Sequence, residues 1–342
     1  MLRNLRLACG SLNWTSLNSK LLTRQVLLSR DVLRTNLFYI FFSLKHNLIC
    51  FKDWDSEMVL KVIFKAYNLK SWVQDTHGKN LNLLKNMRVM ILEDHDEPIL
   101  RMAVSKAAGL MGATDVHITE TINWDDDYNA KVFSEMADII FVSTTTHGCM
   151  RRFASLSSVP IMCMRTRKHA SLQALSTFMS IIEDYGTLRT LNIAYVGPPH
   201  QTLNDYLLLC PMLGANLRFK CCCKTCPLSP LLKKDAEDLC ESSSTVAVQL
   251  TDTKEALKNA HIVIAGPTTK KTDKIPEFEL SVQTIQNSAN HPCWTFYHTF
   301  PRGKEVDDDL FWHQGAKTFN AFKNTQFIAA ALMMTACKSY MH

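Results

Sequence analysis

The sequence predicts an α/β fold in which two doubly wound parallel-sheet lobes are joined by interdomain helices. Short apolar runs typical of strands alternate with segments of helical spacing from about Lys45 onward. The alternation occurs as two series, and a long helix predicted at Ser171–Tyr185 separates them. Alternation of this kind is typical of parallel sheets that are covered by helices on both faces.

The first series contains four predicted strands and two predicted helices before the long helix. The strands are Met87–Leu92, Val116–Thr119, Asp138–Val142 and Val159–Cys163. The helices are Pro98–Gly112 and Tyr128–Ala137. In the long helix Ser171–Tyr185, apolar residues recur at steps of three and four and so form one buried face. Gly186 ends that helix.

The second series repeats the pattern after Gly186. Its predicted strands are Leu191–Val196, Leu217–Lys220, Thr245–Leu250, His261–Ala265 and Trp294–Tyr297. Its predicted helices are Leu203–Leu213 and Thr253–Ala260. The sequence has no repeat of short fixed period and no low-complexity linker between the two series.

Composition and charge are typical of a globular protein with two domains of ordinary size. The chain has 342 residues, of which 46% are hydrophobic and 20% are charged. The net charge of +6 is mild and lies partly in the N-terminal segment, so we predict no nucleic-acid partner. The apolar run Leu37–Leu44 is too short to span a bilayer and no other segment qualifies, so we predict no membrane partner.

Residues 1–44 are predicted to be a mitochondrial transit peptide or disordered leader. Arginine, serine, leucine and asparagine are frequent in this segment, and no acidic residue precedes Asp31. A basic, serine-bearing segment without acids is typical of a transit peptide, so the predicted location is the mitochondrial matrix. The alternative is a disordered basic tail.

The cysteines favour a reducing compartment over a disulfide scaffold. There are twelve in a chain of 342 residues. They cluster at Cys221, Cys222, Cys223 and Cys226, where the last two have C-x-x-C spacing, but no second such pair lies nearby to complete a zinc site. We therefore predict small residues buried at a strand end, with no metal and no cofactor.

A candidate site follows the strand predicted at Trp294–Tyr297. His298, Pro301 and Arg302 come directly after it, and open α/β sheets place their sites at strand ends of this kind. His298 can act as an acid, a base or a hydrogen-bond donor, and Arg302 can hold an anion. The alternative is a loop histidine and a solvated arginine.

The stretch from Trp294 to Phe327 resembles the late signature of the carbamoyltransferases, in particular the ornithine carbamoyltransferase family. Its loop H-T-F-P-R, from His298 to Arg302, is similar to the family's H-C-L-P-R, and E-V-D-D follows in both. The resemblance covers roughly residues 47–336 and implies a homotrimer. It implies three parts: a carbamoyl-phosphate-type lobe at 45–185, an amino-acid (ornithine)-type lobe at 186–320, and a returning C-terminal helix at 321–342.

The family reaction transfers the carbamoyl group of carbamoyl phosphate to ornithine and yields citrulline and phosphate. The resemblance implies catalytic positions at the family remnants His298, Arg302 and His169, and substrate-binding positions at Gln173 and Asn324. One additional residue separates His169 from Gln173 relative to the family's H-P-x-Q, so His169 is out of the strict register.

The anion-binding loop departs from the family pattern. The family presents S-T-R-T-R at a helix start, where N–H groups and two guanidinium groups bind the phosphate dianion. The aligned segment here is D-E-P-I-L, so Pro98 and Leu100 occupy the arginine positions. Arg101 is one step out of register, which turns it by about 100° on a helix. Asp96 is predicted to cap the helix that begins at Pro98.

Three further family positions are also altered. The late family arginine aligns with Thr325, and the G-D-G-N-N turn has become G-P-P-H-Q at residues 197–201. The loop that grips the ornithine amine ends here in Lys270 and Lys271, which would repel an amine.

Two hypotheses of different classes follow. The favoured one is an ornithine carbamoyltransferase-like protein with impaired catalysis, retained as a binding or assembly protein, for which carbamoyl phosphate and ornithine are doubtful substrates. The alternative is an active carbamoyltransferase with ornithine or another amino acid as acceptor. The anion loop favours the first, because lost arginines and added carboxylates both weaken the binding of a dianion.

Overall fold

The computed structural model describes residues 47–77, 81–119, 122–124, 126–221, 228–268, 276–289 and 293–337. The leader predicted at residues 1–44, the pair Lys270 and Lys271, and most of the cysteine cluster lie outside these ranges. A search of the described helices finds none with the length and apolar character that a bilayer crossing requires.

The first lobe contains a parallel sheet of four strands. The strands are β1 (Arg88–Glu93), β2 (Thr114–Ile118), β3 (Ile139–Ser143) and β4 (Ile161–Arg165), in the spatial order β2-β1-β3-β4. Four helices accompany them: α1 (Ser56–Asp75), α2 (Pro98–Met111), α3 (Asp127–Met136) and α4 (His147–Leu156). The central strands are apolar and buried on both faces, as expected for a covered parallel sheet.

The second lobe contains a parallel sheet of five strands. They are β5 (Asn192–Val196), β6 (Asn216–Lys220), β7 (Ala247–Gln249), β8 (Ile262–Ala265) and β9 (Thr295–His298), in the order β7-β6-β5-β8-β9. Its helices are α6 (Gln201–Met212), α7 (Pro230–Ser243), α8 (Thr253–Leu257), α9 (Val282–Ala289) and α10 (Asp308–Phe311).

Two helices connect the lobes through the main hydrophobic core. They are α5 (Ser171–Tyr185) and α11 (Thr318–Ala336), which pack on each other and on the first lobe. Phe178 of α5 and Leu332 of α11 are among their buried side chains, each of which contributes about 1.5–3 kcal/mol relative to exposure. The predicted fold class, with two parallel-sheet lobes joined by Ser171–Tyr185, is confirmed.

Helices α1, α4, α7 and α9 were not among the elements that periodicity predicted. Helix α4 begins with the polar run H-G-C-M-R-R, and only three of its residues are buried, so its apolar signal is weak. Its importance is positional, because it follows β3 and carries charged side chains to the carboxyl edge of the first sheet.

Candidate functional site

The loop after β1 is acidic, and its carboxylates are paired with nearby cations. We call Glu93–Glu97 the acidic loop. Arg101, on the first turn of α2, donates to Glu93 Oε2 at 2.6 Å and to Asp96 Oδ1 at 3.0 Å. The arginine that the sequence placed out of register therefore turns back onto the loop and is held by two carboxylates.

Glu97 takes the second arginine of this region. Arg165, at the end of β4, forms an ion pair with the Glu97 carboxylate, and His95 Nε2 lies 3.4 Å from the same group. The hydrogen bond with Glu97 raises the pKa of His95 against the lowering effect of burial, and Asp94 adds to the rise. The carboxylates of the acidic loop thus form ion pairs with Arg101 and Arg165 and favour the protonated form of His95.

Asp94 is bonded to the loop that follows β3. Its carboxylate accepts hydrogen bonds from Thr144 Oγ1 at 2.6 Å and from the Thr145 N–H at 3.1 Å, and it pairs with His95 Nδ1 at 2.7 Å. Burial raises the pKa of Asp94, but these hydrogen bonds outweigh it and leave the pKa lowered. The loop is consequently tied to its neighbour through a carboxylate.

The prediction that Asp96 caps α2 is wrong. Glu97 is the N-cap residue, and its side chain makes no capping hydrogen bond. The Asp96 carboxylate binds Arg101 instead, because the two side chains lie on the same side of the first turn. Leu100, in one of the family's arginine positions, is buried in the core, so that position no longer faces a ligand.

His298 is buried at the end of β9 and bound to an acid. Its Nε2 lies 2.6 Å from Glu305 Oε1, and Glu305 also accepts hydrogen bonds from the Thr268 hydroxyl and from the Gly303 N–H at 2.8 Å. Burial raises the pKa of Glu305, but the bonds from His298, Thr268 and Gly303 outweigh it and lower the pKa to about 2. His298 is therefore held in a fixed buried pair.

Arg302 lies near His298 in sequence but has different partners. Its Nη2 donates to the Val306 carbonyl at 2.9 Å and to Asp308 at 2.6 Å, and its guanidinium stands 4.3 Å from the centre of the Phe311 ring. The contacts fix Arg302 against α10.

His169 is joined to an acid of the second lobe. Its Nδ1 lies 2.7 Å from Asp205 Oδ1, and the other carboxylate oxygen accepts the N–H of Ala170 at 2.7 Å. Asp205 lies on α6 and is fully buried, and burial raises its pKa against the opposing effect of His169. The sequence did not single out Asp205, because it lies 36 residues from its partner His169.

Asn324 lies in a polar network between helices. Its side chain accepts from Lys70 Nζ at 2.8 Å and donates to Glu183 at 3.0 Å. Gln173, the other predicted substrate-binding residue, is half-buried in the first turn of α5. Thr325, in the late arginine position, is buried and bonds back to the Ala321 carbonyl at 3.3 Å. The predicted site residues are thus distributed over three separate clusters.

The structure also contains a cavity of about 430 Å³ lined by basic side chains, which we call the basic cavity. The sequence did not predict it. Its charged and polar lining residues come from the turn Phe51–Asp53, α4, the loop after β4, and the first turns of α6 and α7. They include Lys52, His147, Arg151, Arg167, Lys168, His169, His200, Gln201, Asn204 and Asp235. The available sequence signals were the i,i+4 spacing of His147 and Arg151 and the adjacent Arg167 and Lys168.

Two histidines of the basic cavity have lowered pKa values. Burial lowers the pKa of His147 to about 4, with further contributions from His169, Lys168 and Arg151. Burial likewise lowers the pKa of His200 to about 3, helped by Arg165 and His298. Both rings are neutral at neutral pH, and the positive charge of the cavity belongs to its lysines and arginines. Over the described ranges, no group of three His, Cys, Asp or Glu side chains is arranged to hold a metal ion.

Comparisons with known proteins agree with this architecture. The family model "Aspartate/ornithine carbamoyltransferase, Asp/Orn binding domain" matches residues 189–336. The mitochondrial ornithine transcarbamylase of Gallus gallus is 22% identical over 313 residues, which is 86% of this chain and 86% of that protein. The ornithine carbamoyltransferase of Acinetobacter baumannii is 26% identical over 215 residues, covering 60% of this chain and 67% of that protein.

Solved structures show the same fold. The ornithine carbamoyltransferase from Pyrococcus furiosus has a TM-score of 0.80 at 19% identity, over 86% of this chain and 97% of that one. A mitochondrial ornithine carbamoyltransferase from Coccidioides immitis has a TM-score of 0.79 at 18% identity, over 86% of this chain and 98% of that one. The molecule thus has the two-lobed α/β fold of these solved carbamoyltransferase structures. Residues 189–336 and the curated relatives thus show a similarity to ornithine carbamoyltransferases, in keeping with the resemblance of the H-T-F-P-R loop.

Proposed function

We propose that this protein is an ornithine carbamoyltransferase-like protein whose carbamoyl transfer is impaired, and which acts by binding rather than by turnover. The observation that carries the proposal is the pairing inside the acidic loop. Arg101 is held by Glu93 and Asp96, and Arg165 is held by Glu97. To bind either arginine, a phosphate dianion would have to displace the carboxylates that already hold that arginine.

Magnitudes support weak binding of carbamoyl phosphate. Each charged hydrogen bond that is lost removes about 1.5–3 kcal/mol. Each carboxylate close to the phosphate adds roughly 1–4 kcal/mol of repulsion, depending on the effective dielectric. Even the low ends, applied to two lost arginines and one added carboxylate, correspond to a loss of about 10³-fold in affinity.

The other family positions support the same proposal. The His298 Nε2 is engaged by Glu305, and the Asn324 amide is engaged by Lys70 and Glu183. A side chain that already has a strong buried partner must break that contact before it can bind a substrate, and this costs several kcal/mol for a charged pair. The retained fold and the altered site are compatible, because folding depends on the buried apolar pattern and the site on a few charges.

Calorimetry with carbamoyl phosphate tests the proposal. We expect no heat of binding at ligand concentrations up to about 1 mM, which corresponds to roughly 4 kcal/mol of binding free energy. An active ornithine carbamoyltransferase in the same buffer is the positive control. A micromolar dissociation constant, or citrulline formation from ornithine by the purified protein, would support an active carbamoyltransferase instead.

Three finer features belong to the same proposal. The boundaries of the carbamoyl-phosphate-type and amino-acid-type lobes are proposed at 45–185 and 186–320, with the last helix at 321–342. A homotrimer is proposed by resemblance to the family. Residues 1–44 are proposed to direct the chain to the mitochondrial matrix, in keeping with their basic, acid-poor composition. Attachment of this segment to a fluorescent protein tests the last point, and cytosolic fluorescence would count against it.

A further inference from the structure

The basic cavity has the features of a ligand site that the family resemblance does not assign. We propose that it binds a small phosphate monoester that also carries hydroxyl groups. Of the family positions, His169 and residues 199–201 of the altered G-P-P-H-Q turn line it, and the acidic loop, His298 and Arg302 do not. The inference goes beyond impaired carbamoyl transfer and stands independently of it, because the acidic loop that carries that proposal contributes no residue to the cavity.

Charge is the first argument. The lining residues include one carboxylate, Asp235, and four cations, Lys52, Arg151, Arg167 and Lys168. The net charge of these five side chains is therefore +3. Asp235 pairs with Lys52 at 2.8 Å. The side chains of the other three cations form no ion pair or hydrogen bond within the described parts of the chain. Unneutralised cations around a concave surface attract an anion, and guanidinium groups fit a phosphate especially well.

Two buried polar atoms provide the second argument. His200 Nδ1 accepts the Thr202 N–H at 3.3 Å, so the neutral ring carries its proton on Nε2. That Nε2 and the Gln201 Oε1 are both buried, and neither has a partner in the described ranges. Leaving such an atom unpaired costs about 1–3 kcal/mol. Both residues line the cavity, and a hydroxyl both donates and accepts, so a side-chain rotation that turns either atom toward the cavity lets a ligand hydroxyl pair with it.

Size and wall chemistry are the third argument. A volume of about 430 Å³ lies within the range of small-molecule sites and exceeds what a bare phosphate ion would fill. Leu208, Leu228, Leu231 and Leu232 form an apolar part of the lining, and the rings of His147 and His169 stand 5.0 Å apart on another part. The cavity therefore suits an organic body attached to the anionic group.

Ribose 5-phosphate is a suitable probe, with ribose as the neutral control and citrate as an anion without phosphate. Titration calorimetry of the full chain at low salt should give a dissociation constant below about 1 mM for ribose 5-phosphate. Ribose should give no measurable heat. Added salt should weaken the binding several-fold, since the cations at the mouth are exposed to solvent.

Matched variants locate the binding. Arg151→Gln and Lys168→Gln should each weaken ribose 5-phosphate binding by about tenfold, the effect of one charged hydrogen bond in a partly exposed site. Arg152→Gln is the control, because Arg152 is adjacent on α4 but pairs with Asp127 at 2.9 Å and does not line the cavity. Its affinity should equal that of the parent protein.

Three results would overturn the proposal. One is the absence of ribose 5-phosphate binding at about 1 mM in low salt. The second is an equal loss of affinity in Arg152→Gln and Arg151→Gln, which would indicate a general charge effect. The third is citrate binding as tight as that of ribose 5-phosphate at equal ionic strength, which would reject the phosphate assignment. All three positions are exposed on the surface, so the melting temperatures of the variants should match the parent and exclude misfolding.

Discussion

The acidic loop and the basic cavity differ in where their charges find partners. In the acidic loop the carboxylates are bound by Arg101, Arg165 and His95, or by the loop after β3. In the basic cavity, Arg151 and Lys168 have no such partner in the described ranges. The comparison teaches that the number of charges does not identify a ligand site. A charge is available to a ligand only where the protein has not already neutralised it.

The largest expected effect tests whether paired charges stabilise the fold. The Glu305 carboxylate, like those of the acidic loop, has a charged or polar partner within the protein, and its pKa is lowered to about 2 in the folded state. A carboxylate with a depressed pKa contributes stability above its unfolded pKa near 4.5 and loses it as the pH falls toward 2. Glu305→Gln should therefore lower the free energy of unfolding at pH 7 by about 2–3 kcal/mol.

Urea unfolding at pH 7 and at about pH 3 measures this effect. The parent protein should lose stability over that interval, and Glu305→Gln should lose less of it, since the titrating group is absent. Glu135→Gln, an exposed position on α3, is the matched control and should behave as the parent. Equal stability of Glu305→Gln and the parent at pH 7 would mean that the buried pair does not stabilise the fold.

An intermediate effect should follow when an arginine is released in the acidic loop. Glu97→Gln removes the partner of Arg165 and one negative charge, so carbamoyl phosphate should bind about tenfold more tightly than to the parent. Nuclear magnetic resonance titration at millimolar ligand can detect this change. Asp96→Asn is the control, because Asp96 is largely exposed and leaves Arg165 paired, and its gain should be smaller. No gain in Glu97→Gln would show that shape rather than charge excludes the ligand.

The smallest effect concerns the ion pair between Lys52 and Asp235 in the basic cavity. Asp235→Asn frees Lys52, which is largely exposed, so ribose 5-phosphate should bind about two- to threefold more tightly. Calorimetry at low salt measures the change. Glu237→Gln, on the same helix and paired with Lys233 at 3.8 Å, should leave the affinity unchanged. Weaker binding in Asp235→Asn would indicate that Asp235 orients the cavity instead of competing for its charge.

The sequence was sufficient to predict the fold, because the apolar residues of buried helices and strands recur at regular spacings. Helix α5 was predicted with the bounds that the structure has, Ser171–Tyr185, since its apolar spacing and Gly186 define both face and end. Helix α4 was not predicted, because few of its residues are buried and its apolar periodicity is therefore weak. Both helices follow strands of the first sheet, so their different outcomes reflect burial rather than position.

The site was only partly predictable, because its contacts join distant segments. The sequence was sufficient to identify Pro98 and Leu100 in the arginine positions. It was insufficient to show that Arg165, from another strand, pairs with Glu97, or that Asp205 binds His169. The basic cavity assembles residues from five separate segments between Cys50 and Asp235, and such convergence follows from tertiary structure alone.

The bond between Asp205 and the segment before α5 has a mechanical consequence. One carboxylate of the second lobe holds both His169 and the Ala170 N–H, at a place from which water is excluded. Any hinge motion that separates the lobes there must break both hydrogen bonds, at about 1–3 kcal/mol each. The two bonds therefore oppose separation of the lobes beside the basic cavity, so a ligand spends less of its binding energy on ordering that part of the lining.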